Sequence, residues 1–115
     1  MSTVTTNQHT DLATGRWHTM TLCEQMGNIG SEVSRALSWK QKGNMEQSWR
    51  ACARALELFV LTQTDSRYSG EQGREIARSK EVFLDFFAGD NEYHSTDHTI
   101  QSYFDAFARV ARRSI

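Results

Sequence analysis

Proline is absent from all 115 residues. Nothing therefore forces a kink or removes a ladder hydrogen bond anywhere in the chain, and long uninterrupted helices are permitted throughout. Cysteine occurs only as Cys23 and Cys52. Two thiols without framework spacing, each beside apolar neighbours in a helical pattern, exclude a disulfide scaffold and fit buried reduced thiols and a cytoplasmic setting. No apolar run approaches the roughly twenty residues of a membrane span, and MSTVTTNQHTDLATG lacks the basic start and apolar middle of a secretion signal. Charge of one sign is missing too. Thirteen basic residues against fourteen acidic ones provide no net field to draw nucleic acid or an acidic membrane, so any such attraction must come from a local patch. Strand alternation is missing, and so is the Glu-x-x-His pair by which carboxylate-bridged metal bundles place both ligands on one inward face.

What is present is helical period. Residues 1 to 15 are rich in Ser, Thr and Asn with little to bury, which predicts a flexible tail ahead of a single domain from residue 16 onward. The chain length suits one core without metal or disulfide support. From Trp17 to Lys42, Leu22, Met26, Ile29, Val33, Ala36 and Leu37 recur on one face. The Lys42-Gly43-Asn44 break ends this first helix. Asn44, with Gln47 three residues on, caps a second helix. Its expected apolar face is Met45, Trp49, Cys52, Ala53, Leu56, Phe59 and Val60, leaving Leu58 and Leu61 to one side. Asp65 to Gly70 has turn chemistry, and a third helix over 71–88 turns Ile76, Phe83, Phe86 and Phe87 inward. Ser95 or Thr96 starts a fourth, with Ile100, Tyr103, Phe104, Phe107, Ala108 and Ala111 inside. Short connections make consecutive helices antiparallel, so the expected fold is an all-α, up-down-up-down four-helix bundle.

Two further stripes on the first helix are candidates for function. Gly27, Ser31, Ser34 and Ser38 follow one another at spacings of four, three and four, and Gly27 and Gly30 each cost a helix about 1 kcal/mol relative to alanine. A close backbone approach would account for that cost, either within the bundle or between subunits. The stripe's distance from Leu22 and Ile29 favours the second, a homo-oligomer interface completed by Trp39, whose indole among polar residues needs a contact. Glu24, Asn28, Glu32 and Arg35 form a polar line that is either a ligand groove or a solvated face with a Glu-x-x-Arg pair. Glu71 with Arg74 and Glu75 with Arg78 repeat that pairing elsewhere. His94, Asp97 and His98 make a weak metal signal and read as loop and cap residues. Neither cysteine has a histidine near in sequence, so no nucleophile, cofactor or metal is expected.

At GNIGSEVSRALSW, KGN, RALEL, GDNEY and YFDAFA the chain resembles a set of small prokaryotic four-helix-bundle proteins, over most of its length from Trp17 onward. In size and helix plan, though not in motif, it is distantly similar to ribosomal-RNA intervening-sequence proteins and the accessory proteins of diversity-generating retroelements, which assemble as rings and bind nucleic acid. Its near-neutral charge departs from their basic character. The HEPN ribonuclease signature, an arginine followed four to six residues later by histidine, is missing. These readings together predict a non-enzymatic, self-associating interaction module with a protein partner. The alternative is a nucleic-acid-associated bundle of an RNA-processing or toxin system, acting through Arg50, Arg54, Arg109, Arg112 and Arg113.

Overall fold

A computed structural model describes residues 15–113, and the expected tail lies outside the described residues apart from Gly15. A short 3-10 turn, Trp17–Thr19, precedes four helices: α1 Leu22–Gln41, α2 Met45–Gln63, α3 Gly70–Ala88 and α4 Asp97–Arg113. The first helix thus starts five residues later than its apolar period predicts. Thr21 is the reason. Its hydroxyl accepts from Glu24 N–H at 3.1 Å while Glu24 Oε1 accepts from Thr21 N–H at 2.8 Å, a reciprocal capping box that satisfies two otherwise orphaned donors. The remaining boundaries follow local chemistry. Gly43 takes φ +81° at the α1 stop, and Asn44 Oδ1 accepts from Gln47 N–H to start α2. Thr96 rather than Ser95 caps α4, trading hydrogen bonds with Thr99.

Contacts between helix ends establish the topology. Lys40, near the end of α1, donates to the Phe87 carbonyl near the end of α3 at 3.0 Å, so those two helices run the same way. Gln41 at the end of α1 meets Asp97 at the start of α4, so these two are antiparallel. The up-down-up-down four-helix bundle is therefore formed. Helix α1 is flanked closely by α2 and α4, and α3 leans on α2.

The core is continuous through all four helices, with Phe59 at its centre: the Phe83 ring stacks 6.4 Å away and the Phe104 ring meets it edge-on at 6.2 Å. Phe83 is fully buried as expected, whereas Phe107 is only partly buried, and Phe104 takes the inner place on α4. Helix α2 is rotated from its expected face, keeping Cys52 and Phe59 inside but turning Met45, Trp49, Ala53 and Val60 out. The side that packs inward is Ser48, Ala51, Cys52, Ala55, Leu58, Phe59 and Thr62, with Ser48 Oγ donating to the Ala36 carbonyl at 2.7 Å. Small side chains let the α1 and α2 backbones approach, and that gain in packing outweighs the bulk of Met45, Trp49 and Val60 on the other side.

Candidate functional site

The small stripe of α1 meets α4 of the same chain. A methyl group on Gly27 would stand 3.3 Å from Ala108 Cα, and one on Gly30 only 2.5 Å from Phe104 Cβ. The close approach that the two glycines call for is thus met within the chain, by α4. Ser31 is exposed, and Ser34 and Ser38 are half-buried along the open groove that α1 forms with Asp105, Ala108 and Arg112 of α4. Trp39 is half-buried, with the Lys42 ammonium 5.1 Å from its ring centroid. A cation from its own chain already covers that indole face.

The polar line resolves into structural roles. Glu24 belongs to the capping box, and Asn28 Nδ2 donates back to the Glu24 carbonyl at 2.8 Å. Glu32 is not on a solvated face. It is 8% exposed, receiving Arg54 Nε from α2 at 3.0 Å and Arg35 from its own helix at 3.2 Å. A carboxylate buried between two guanidiniums is the usual way for such a charge to leave water. Of the arginines considered for nucleic acid, Arg54 is engaged there and Arg50 pairs with Glu46 at 2.8 Å. Both charges on α2 are therefore locally neutralised.

A polar network outside the expected sites pins the 3-10 turn to the bundle. Trp17, fully buried, donates its indole N–H to Thr62 Oγ1 at 3.1 Å and accepts from Gln25 Nε2 on its carbonyl at 2.8 Å. Gln25 Oε1 in turn accepts the Tyr68 hydroxyl at 2.7 Å. Beside it, buried Asp65 holds Arg67 through both carboxylate oxygens and lies 3.1 Å from His18 Nδ1. The Arg67 hydrogen bonds hold the Asp65 carboxyl well below the ordinary carboxylate range, against the upward push of its own burial. A lowered folded pKa contributes stability that is fully present above the unfolded value of about 4 and is lost as pH falls toward the folded value. The thermal midpoint is accordingly expected to drop on acidification below about pH 4, and Asp65→Asn should lower the neutral-pH midpoint and flatten that acid limb. Calorimetry across pH 2–7 checks this, and an acid limb as steep in the variant as in the wild type would contradict it.

Two surfaces remain. On α2 the residues turned away from the core form an exposed apolar seam: Met45 is 43% exposed, Trp49 50% and Val60 50%, with Ala53 and the half-buried Leu56 between them. The Trp49 ring is braced edge-on against Phe87 at 4.9 Å. The second surface is a cleft of about 370 Å³ between α3 and α4, floored by Val82, Ile100 and Phe104 and walled by Glu75, Arg78, Tyr93 and Tyr103. The expected Glu75–Arg78 ion pair does not form. Glu75 instead accepts the Tyr103 hydroxyl, and Arg78 lies 5.8 Å from the Tyr93 ring centroid. Burial first, then the Glu75 carboxylate, push the Tyr103 phenol upward, so it stays a proton donor at neutral pH. Neither surface is legible as such in the sequence, because Trp49 and Val60 read as core and Glu75 and Arg78 as a routine helix pair.

Burial pushes the Cys52 thiol up to about 11, which disfavours the thiolate that nucleophilic chemistry needs. Among the described residues no three His, Cys, Asp or Glu side chains converge as metal ligands, and no helix is long and apolar enough to cross a membrane. No protein-family model, curated protein or solved structure matches the chain.

Proposed function

We propose that this protein is a non-enzymatic helical-bundle module that associates with a second copy of itself through α2. The observation that carries the reading is the apolar seam of exposed Trp49, Ala53 and Val60 with half-buried Leu56 among them. Its spacing of four, three and four is that of a coiled-coil contact line. A helix that has already buried one face in its own domain has no folding reason to carry a second apolar line, whereas an interface does.

The seam is also self-complementary. In an antiparallel pair about a two-fold axis passing between Ala53 and Leu56, Trp49 meets Val60 of the second copy and Ala53 meets Leu56. Trp49, held by Phe87, is the kind of fixed aromatic anchor that dominates interface energy.

Val60→Glu tests the reading with little risk to the fold, since half of that side chain is already in water. It should weaken association by about 2 kcal/mol or more, roughly 30-fold in dissociation constant, as read by light scattering over a concentration series. Ser31→Leu, in the α1–α4 groove, should leave the mass unchanged. The reverse pattern would move the interface from α2 to the serine groove.

A further inference from the structure

The cleft between α3 and α4 is built before anything enters it. The loop that spans its end is set by its own hydrogen bonds: the Asp85 carboxylate accepts from Glu92 and Tyr93 N–H at 2.8 and 3.1 Å, and the Asn91 side chain brackets Ser95 through N–H and carbonyl at 2.8 and 3.0 Å. Asn91 and His94 both take left-handed backbone conformations, φ +54° and +56°, a local strain tolerated where the surroundings over-determine it. This loop holds α4 off α3 and leaves a volume of about 370 Å³, within the range of small-molecule sites, which are typically preformed, mostly apolar and marked by a few convergent polar groups.

The polar groups specify the chemistry. Glu75 and Arg78 are one helical turn apart, and each turns to an aromatic wall of the cleft instead of to the other. A carboxylate and a guanidinium set side by side over an apolar floor match a molecule with an ammonium and a carboxylate a few ångströms apart and an apolar remainder. A simple anion would meet the repulsion of Glu75, and a simple cation that of Arg78. We propose that the α3–α4 cleft is a binding site for a small zwitterion with an apolar body, of the α-amino-acid type. Glu75 takes the ammonium, Arg78 takes the carboxylate, and Val82, Ile100 and Phe104 receive the side chain. The Tyr103 hydroxyl fixes the Glu75 carboxylate in place.

Titration of the full chain with four probes decides the matter, by calorimetry and by amide chemical-shift mapping: L-phenylalanine, L-leucine, phenethylamine and 3-phenylpropionate. The two amino acids should bind and shift amides of the 91–96 loop and the facing turns of α3 and α4. Removing either charged group from the ligand should weaken binding tenfold or more, as should Glu75→Gln or Arg78→Gln in the protein. Both variants alter exposed side chains, and circular dichroism verifies their fold. No binding by either amino acid, shifts mapping elsewhere, or equal binding of the amine or the acid would overturn the proposal. So would wild-type affinity in both variants. The cleft and the α2 seam lie on different elements, so an empty cleft leaves the self-association reading standing, and a monomeric protein leaves this one.

Discussion

Replacing Trp17 with alanine is expected to cost on the order of 3–5 kcal/mol, a large share of the stability of a domain this size. The indole is fully buried although it stands outside every α-helix, so its removal leaves a cavity under the start of α1. It also takes away the donor that Thr62 accepts. Trp17→Phe separates the two effects, since it keeps most of the volume and loses only the N–H, a loss of about 1 kcal/mol. Chemical denaturation gives both numbers. A cost below about 1 kcal/mol for the alanine variant would mean that the 3-10 turn does not pack against α2 at all.

Gly30→Leu is expected to cost about 3 kcal/mol or more, at the upper end of overpacking penalties. Even a methyl group there would stand 2.5 Å from Phe104 Cβ, an atom fixed close to the α4 backbone that cannot swing aside. Helix propensity runs the other way by about 1 kcal/mol for alanine, so Gly30→Ala should still be a net loss. Gly27→Ala is the contrast. At 3.3 Å from Ala108 Cα the crowding is mild, and the propensity gain should bring the net change close to zero. Thermal melts of the three variants check the order, and a Gly30→Ala protein as stable as the wild type would show that the α1–α4 crossing is not as close as described.

The helices and their order were readable from period and caps because those signals are local. Lys42-Gly43-Asn44 and Gly89-Asp90-Asn91 are stops whatever the tertiary context. The start of α1 was readable too, since Thr21-Leu-Cys-Glu24 is a capping-box pattern, but the apolar period running on to Trp17 obscured it. Faces were harder. On α2, Met45, Trp49 and Val60 dominate any count of apolar bulk, yet Ser48, Ala51 and Ala55 face inward, because what decides the orientation is how near the α1 backbone can come. The same physics brings Gly27 and Gly30 against α4.

The candidate site was the least legible part. Glu32 lies in the polar line of α1, and only the position of Arg54, twenty-two residues on, buries it as an interhelical ion pair. Glu75 and Arg78 have the spacing of a surface pair, and nothing local reveals that the 89–96 loop opens a cleft for them to line. Long-range placement made these sites, and single-helix patterns do not encode it. The exposed seam on α2 is a different case, for Met45, Trp49 and Val60 read as apolar and therefore as core, and the turn of the helix leaves them at the surface.

Self-association through α2 is tested most directly by the mass of the unmodified protein in solution. Multi-angle light scattering from low micromolar to submillimolar concentration should show a rise to the mass of two chains, with a single dissociation constant describing the whole series. The mass of one chain at every concentration would contradict the account, because the apolar seam from Met45 to Val60 would then stand in water without a second copy to cover it.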